Sequence, residues 1–365
     1  MSAVKSPSSW VVGAAGLAIG GLIALRLLIP SGMDPTVFLA LGDDSPVQTN
    51  YAQRFLDEVR TRRDLGHDGR FFFVQANDPW LLQPDENAAV LDRPVYRSQR
   101  MLFPLIAGGL GAFPPGVVVW SMLITNLLAM GIGALVAAQL ALRWGASPWL
   151  GLAVPLNIGL IFELDIGGAG IVAYTFALAG LLALVATRVW FASLLFAAAA
   201  LSREVMVGFA VGVFVLWWLE GRRSIWRIVL MPVVGMAVWN VYLRFRLDGV
   251  PGVGERTENF TAPFVGLYEA FESWVRNPGE LLLNSVLVLV VIAFVPLALR
   301  SRSPIAWGAL PFAALMVVLS AEVLRESYNF SRAVVPVFTA LPFLIMAPRH
   351  DPSPAGIGRL SGERP

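Results

Sequence analysis

The amino-acid sequence predicts an all-α polytopic membrane protein with about ten transmembrane helices and a large first loop on the outer side. Three observations support this prediction. Of the 365 residues, 56% are hydrophobic and only 14% are charged, whereas soluble domains carry about 25% charged residues. The mean hydropathy is +0.67, and windows of about 19 residues find one apolar stretch after another. This composition excludes a soluble cytosolic enzyme and a nucleic-acid-binding protein.

The first apolar stretch follows Lys5 and runs from Trp10 to Leu28. It is longer than a signal-peptide core and no A-x-A-like cleavage site follows it, so we expect an uncleaved first span. Several of the later stretches are shorter than the ~20 residues of a straight crossing, which predicts some broken or re-entrant helices. The later spans are expected at roughly 116–142, 147–162, 169–187, 189–202, 205–219, 225–246, 281–299, 304–323 and 329–347.

These spans divide the chain into four parts. The first span covers 1–29, and an outer loop with juxtamembrane helices covers 30–115. A helical bundle, which includes a second outer loop at 247–280, covers 116–347. A cytoplasmic tail covers 348–365. If Met101–Ala112 lies on the outer face without crossing, the basic residues of the short connections share one side. We expect the protein in the cytoplasmic membrane, and the positive-inside rule then places both termini in the cytoplasm. Those basic residues are Lys5, Arg143, Arg188, Arg222, Arg223, Arg227, Arg300, Arg302 and the arginines of 349–364.

The charged residues are unevenly distributed, although the net charge is only +2. Of the 25 acidic residues, 11 lie between positions 30 and 100, in the predicted outer loop. The absence of cysteine excludes disulfides, thiolate metal sites and cysteine nucleophiles. Two histidines are too few for a multi-histidine metal site, so carboxylates would have to hold any metal ion.

The acidic candidates for chemistry lie in the first outer loop. Asp68 stands between His67 and Gly69, where a glycine neighbour permits close approach of a substrate. An apolar surround would raise its pKa toward that of a general base. The alternative is a solvated turn, since Asp-Gly is a common turn dipeptide. Asp43 and Asp44 have a similar alternative as a cap or turn pair, and a lone histidine such as His67 is more often structural.

The basic candidates precede an apolar segment of the same loop. Arg93, Arg97 and Arg100 are spaced four and three apart, so on a helix they would share one face. Guanidinium groups bind phosphate oxygens in bidentate, charge-assisted contacts, which predicts a lipid-phosphate site. The alternative is a set of interfacial arginines that contact ordinary anionic headgroups. Arg332 would either add a phosphate contact from the last span or mark the interface.

A charged pair, Arg203-Glu204, interrupts the apolar second half of the chain. Charges within a membrane are costly and indicate function by default. The alternative is a self-neutralising pair that caps two short helices. Glu163 and Asp165, in a short acidic turn, are weaker candidates.

Four segments resemble a known family: GHDGRFFFVQANDP at 66–79, DRPVYRSQRMLFPLIAGGL at 92–110, LSRE at 201–204 and YNFSRAVVP at 328–336. Together they resemble the GT-C superfamily of polytopic glycosyltransferases. More narrowly, they are similar to bacterial, largely actinobacterial, relatives of the PIG-V-type mannosyltransferases linked to cell-surface glycopolymers. That family has a D-G-x-x-[YF] motif in the first outer loop, followed by Y-R-x-Q-R-x-L-x-P-L. The resemblance covers the first third of the chain by motif and the rest mainly by span layout.

The resemblance implies an inverting transfer of a sugar from a polyprenyl-phosphate donor to a glycan or glycolipid acceptor on the outer face. It implies a loop carboxylate as the base, Asp68 first and Asp43 or Asp44 second. It assigns the donor phosphate to Arg93, Arg97, Arg100 and Arg332, and the cavity to His67, Tyr96, Gln99, Arg203 and Glu204. Phe71–Phe73 stand where relatives often have tyrosine, so hydroxyl contacts are not expected there. A divalent metal is not required, because the arginines can supply the same charge, although the acidic loop could bind one.

Two other functions are compatible with the composition. One is a transporter or flippase of a lipid-linked sugar, and the other is a non-catalytic partner in envelope assembly. Transporters often have repeated halves with interrupted helices at corresponding positions, and this sequence has no such symmetry. The side chains do not identify the sugar, since mannose and arabinofuranose both fit the resemblance.

Overall fold

The computed structural model describes residues 8–222, 225–248 and 259–347. The protein is 74% helical with almost no strands, as the sequence predicts. The predicted cytoplasmic tail at 348–365 and residues 249–258 of the predicted second outer loop lie outside the described residues.

The region between the first and second long helices contains short elements. Its only regular strand pairing in the described chain is parallel, with Leu41 opposite Thr61 and Gly42 opposite Arg62. The elements after the first long helix, α1 (Ser9–Leu28), are a 3₁₀ helix (Pro35–Leu39), β1 (Leu41–Gly42), α2 (Pro46–Gln53), β2 (Thr61–Arg62), α3 (Gly69–Asn77), α4 (Pro84–Val90), α5 (Pro94–Arg97), α6 (Leu102–Ala107) and a 3₁₀ helix (Gly109–Gly111).

The rest of the described chain is a bundle of longer helices. They are α7 (Pro115–Arg143), a 3₁₀ helix (Pro148–Ala153), α8 (Ile158–Asp165), α9 (Gly170–Val185), α10 (Val189–Ser202), a 3₁₀ helix (Glu204–Met206), α11 (Val207–Leu219), α12 (Arg227–Leu247), α13 (Val265–Val275), α14 (Pro278–Arg300), α15 (Pro304–Leu315), α16 (Ala321–Leu324), α17 (Ser327–Ala333) and α18 (Val335–Met346).

Four of the described helices are long and apolar enough to cross a membrane, namely α1, α7, α12 and α14. A fifth span is formed if α17 and α18, which bend by 66° at their junction, count as one. The apolar helices indicate a membrane-embedded protein, but the predicted count of about ten spans is not confirmed. The helices α9, α10 and α15 have 12 to 16 residues. At 1.5 Å per residue they reach about 18–24 Å, less than the ~30 Å hydrocarbon core.

The first helix packs closely against α7 through small residues. A Cβ atom added at Gly16 would lie 2.6 Å from the Cβ of Ala134, and one at Gly13 would lie 2.9 Å from the Cβ of Leu135. Glycines in such spacing let two helix backbones approach, as is common between membrane helices. The first span is therefore part of the bundle.

The region between α1 and α7 is fixed to the bundle by α12. The indole Nε1 of Trp239 donates a 2.7 Å hydrogen bond to the carbonyl of Ser98. About two turns further on, near the end of the same helix, Arg246 Nε donates to the carbonyl of Leu81 at 2.9 Å. The first bond holds the arginine-containing segment around Ser98 against α12, and the second holds the connection between α3 and α4.

Candidate functional site

Asp68 immediately precedes α3, and a glycine determines where it lies. A Cβ atom at Gly69 would be 2.5 Å from the carbonyl oxygens of both Phe38 and Ile166. Any other residue would force these backbones apart. The glycine of the Asp-Gly pair therefore has a packing role, and it brings Asp68 next to the end of α8.

The carboxylate of Asp68 bridges two guanidinium groups from distant parts of the chain. Its Oδ1 accepts a 3.0 Å hydrogen bond from Nη1 of Arg97, 29 residues away. Its Oδ2 accepts a 2.6 Å bond from Nη2 of Arg332, 264 residues away. The structure thus brings together the residues that the sequence predicts as base and as phosphate ligands.

Each of these two arginines is also held by a second carboxylate. Asp92 accepts from Nε and Nη2 of Arg97, both at 2.9 Å. Glu163 accepts from Nε of Arg332 at 2.9 Å. Because both guanidiniums have an independent partner, Asp68 is not needed to keep them in place.

Glu163 accepts a further bond, at 2.6 Å, from Nη1 of Arg203. The result is a continuous chain of alternating charges with three carboxylates and three guanidiniums, so its formal charge is zero. We call it the ion network, and its members in order are Asp92, Arg97, Asp68, Arg332, Glu163 and Arg203.

A second ion pair lies beside the network. Nε and Nη2 of Arg100 donate to the two carboxylate oxygens of Glu204, both at 2.9 Å. The hydroxyl of Tyr96 accepts from Nη2 of Arg100 at 2.8 Å and from Nδ2 of Asn259 at 3.0 Å. The Tyr96 ring also lies 4.9, 5.7 and 5.3 Å from the guanidiniums of Arg93, Arg97 and Arg100, distances typical of cation–π contacts.

The structure contradicts the shared helical face expected for the arginines and the alternative of a self-neutralising Arg203–Glu204 pair. The helix α5 has only four residues and ends at Arg97, so the three arginines do not share a helical face. Their guanidiniums lie instead around the Tyr96 ring. Arg203 and Glu204 do not neutralise each other, because α10 ends at Ser202 and Arg203 adopts an extended backbone. Their side chains bond to different partners, Glu163 and Arg100.

The electrostatics of Asp68 differ from the prediction of a raised pKa. Burial raises its pKa, but the charges of Arg332, Arg97 and Arg100 outweigh that effect and leave the pKa well below its ordinary value. The carboxylate is therefore ionised at neutral pH and is a weak base while both arginines bind it. Its side chain is 20% exposed, against 1% for Glu163, so within the ion network Asp68 remains accessible to a ligand.

His67 lies next to Asp68 and forms a hydrogen bond through Nδ1 with the hydroxyl of Tyr328. The two rings are in edge contact, with centroids 4.9 Å apart. Burial lowers the pKa of His67, the nearby carboxylates of Asp64 and Asp68 oppose this, and the guanidiniums of Arg62 and Arg332 add to it.

The lowered pKa of His67 predicts a pH dependence of stability. In the unfolded chain the imidazole gains a proton near its ordinary pKa of 6.5, but in the folded protein it does so only at lower pH. The stabilising contribution is therefore complete above pH 6.5 and is lost as the pH falls through the folded pKa. We expect the thermal unfolding midpoint of the wild type to fall more steeply below pH 6.5 than that of His67→Asn. Parallel curves for the two proteins would contradict this assignment.

The remaining predicted site residues lie outside the ion network. Asp43 and Asp44 are exposed, and among the described residues their carboxylates form no ion pair or hydrogen bond with a side chain. Gln99 is half-buried beside Tyr96, and its side chain has no hydrogen-bond partner in the described part of the chain. Asp165 bonds to Arg26 of α1 at 2.5 Å.

Sequence reasoning undervalued Glu163 and assigned no role to Asp92 or Tyr328. A signal for Glu163 was present, because it is an acidic residue at the end of an apolar stretch, the kind of position that indicates function. Asp92 has no such signal, because it is one of many acidic residues in the same loop. Its role depends on the contact with Arg97, which the spacing of the two residues does not predict.

Among the residues that the structure describes, no group of three or more His, Cys, Asp or Glu side chains is placed to hold a metal ion. Comparison with protein-family models, with curated proteins and with solved structures finds no match for this chain. The function is therefore argued from the ion network itself.

Proposed function

We propose that the protein is an inverting membrane glycosyltransferase of the GT-C type. It takes a sugar from a polyprenyl-phosphate donor and transfers it to a glycan or glycolipid acceptor of the cell envelope. We place the reaction on the outer face of the cytoplasmic membrane, with both termini in the cytoplasm and about ten spans. The observation that supports this proposal is the position of Asp68 between the guanidiniums of Arg97 and Arg332.

The donor phosphate binds where the Asp68 carboxylate now lies. Arg97 and Arg332 each keep a second carboxylate partner, so phosphate oxygens can replace those of Asp68 without loss of the arginines' positions. Guanidinium groups suit this exchange because they bind carboxylate and phosphate with the same planar donor geometry. Arg100 and Arg93, gathered on the Tyr96 ring, add positive charge on one side of the phosphate.

The exchange also prepares the base. Once the arginines bind the phosphate, its negative charge offsets the positive charges that depress the pKa of Asp68, while the burial that raises this pKa persists. Asp68 then takes the proton of the acceptor hydroxyl, whose oxygen forms a bond to the anomeric carbon. The bond from that carbon to the phosphate oxygen breaks, and polyprenyl phosphate leaves with its charge neutralised by the arginines.

The test is transfer by the purified protein in lipid nanodiscs that contain a polyprenyl-phosphate sugar with a labelled sugar group. Mannose and arabinofuranose donors are supplied separately, with a cell-envelope glycolipid fraction as acceptor and a nucleotide sugar as the control donor. We expect a new glycosidic bond of inverted configuration from one lipid-linked donor and none from the nucleotide sugar. Movement of the labelled lipid across sealed vesicles without a new bond would contradict the proposal and favour a flippase.

A further inference from the structure

Glu163 is buried with a side chain 1% exposed, and three donors surround its carboxylate. Oε1 accepts from Nε of Arg332 at 2.9 Å and from Nη1 of Arg203 at 2.6 Å. Oε2 accepts from the backbone N–H of Gly170 at 3.0 Å. A carboxylate with this many partners has a single well-defined position and in turn fixes its partners.

The backbone around Glu163 is shaped to close over its side chain. At the end of α8 the N–H of Gly168 bonds to the carbonyl of Glu163 at 2.8 Å, and that of Gly167 bonds to the carbonyl of Leu164 at 3.2 Å. Gly167 has a positive φ of +59°. This is the Schellman arrangement, which reverses the chain after a helix. It returns residues 168–170 to the Glu163 carboxylate.

Two glycines in the returning segment leave space that the carboxylate fills. A Cβ atom at Gly168 would lie 1.9 Å from Oε2 of Glu163, and one at Gly170 would lie 2.5 Å from its Cδ. Any side chain at either position would displace the carboxylate. We call Gly168 and Gly170 the glycine cradle.

Glu163 also determines which way Arg332 points. Nε of Arg332 is held by Glu163, and its Nη1 donates to Oδ1 of Asn329 at 3.2 Å. The third nitrogen, Nη2, is directed at Asp68. With two nitrogens fixed from behind, a planar guanidinium can present the third in only one direction.

We propose that Glu163 is a positioning residue, which holds Arg332 and Arg203 from the buried side so that Arg332 presents Nη2 to the donor phosphate, and that the glycine cradle exists to hold Glu163. This inference rests on the proposed function, because it takes the ligand at Asp68 to be a lipid phosphate. Glu163 is too deeply buried to touch the substrate, so it acts through Arg332.

The test is a double-mutant cycle between the cradle and Arg332. Gly168→Ala, Arg332→Lys and the double variant are compared with the wild type for the Kd of a short-chain polyprenyl phosphate without sugar, in detergent micelles. Gly168→Ala keeps every charge and displaces only the carboxylate. We expect it to weaken binding by about ten- to hundredfold, the loss typical when a group that orients a ligand-binding side chain is disturbed. In the Arg332→Lys background, Gly168→Ala should leave the Kd almost unchanged, because Gly168 and Arg332 act as one unit.

Additive losses would overturn the inference, since a purely structural role for Gly168 would act equally in both backgrounds. An unchanged Kd for Gly168→Ala, or no binding of polyprenyl phosphate by the wild type, would also overturn it. Gly116→Ala is the matched control, because a Cβ at Gly116 meets nothing within 4 Å. If Gly168→Ala does not fold, the same cycle is run with Glu163→Gln, which keeps the shape of the side chain, and is judged by the same criteria.

Sugar transfer measured on the same proteins separates the two proposals. Coupled losses of binding in a wild type that transfers no sugar would refute the glycosyltransferase and leave Glu163 as a positioning residue for an anion-binding arginine. Additive losses in a wild type that transfers sugar would leave the enzyme and refute the role of Glu163.

Discussion

Asp68→Asn is expected to lower the turnover of sugar transfer by about a thousandfold, within the range that general bases contribute. Its affinity for polyprenyl phosphate should be unchanged or higher. An amide cannot accept the hydroxyl proton, and it competes less than a carboxylate for Arg97 and Arg332. A loss confined to turnover is the mark of an interaction made only in the transition state.

Turnover and the Kd for polyprenyl phosphate are measured for Asp68→Asn, Asp43→Asn and Asp44→Asn. The last two carboxylates are exposed and lie outside the ion network, so both variants should transfer sugar at close to the wild-type rate. Undiminished transfer by Asp68→Asn would exclude Asp68 as the base. A large loss of turnover in Asp43→Asn or Asp44→Asn would assign the base to the earlier acidic pair instead.

Arg97→Lys is expected to reduce kcat/KM for the lipid donor by about 10²–10³-fold, the cost of removing one preorganised donor to developing charge. The guanidinium of Arg97 reaches Asp92 with two nitrogens and Asp68 with a third. A lysine ammonium keeps the charge but cannot span both carboxylates, so the two-arginine arrangement is lost. Initial rates over a range of donor concentrations give this ratio.

Arg54→Lys is the matched control for that variant. Arg54 lies in the same region between α1 and α7, is 52% exposed and pairs with the partly exposed Glu86 at 2.8 Å, and exposed pairs contribute little. We expect its kcat/KM to be within twofold or so of the wild type. Equal losses in both lysine variants would contradict a special role for Arg97 and point to a general effect of charge in the loop.

The helical fold was accessible to sequence reasoning because apolar runs indicate helices in a membrane-embedded chain. The predicted segment 189–202 coincides with α10 (Val189–Ser202), and the first span agrees closely with α1 (Ser9–Leu28). The number of spans was not accessible, since the lengths of the apolar stretches indicate that some helices are broken but not where the breaks lie. The segment predicted at 147–162 is divided between a 3₁₀ helix and α8, and α8 continues past its end to Asp165.

The site could be predicted only in part, for a physical reason. Residue type indicates that Asp68 and the arginines are chemically competent, but their mutual contacts depend on packing between segments up to 264 residues apart. The pKa of Asp68 illustrates this, because the direction of its shift depends on the guanidiniums of Arg332, Arg97 and Arg100, whose positions do not follow from sequence spacing. Glu163 likewise becomes central only when the turn after α8 folds back on it.

The most direct test of the account is a cryo-electron microscopy structure of the protein with polyprenyl phosphate bound. We predict density for the phosphate between Arg97 and Arg332, with its oxygens about 2.7–2.9 Å from the guanidinium nitrogens. Asp68 should then have lost its bond to at least one of the two arginines, while Arg97–Asp92 and Arg332–Glu163 persist. Phosphate density elsewhere, with both bonds of Asp68 intact, would contradict the account.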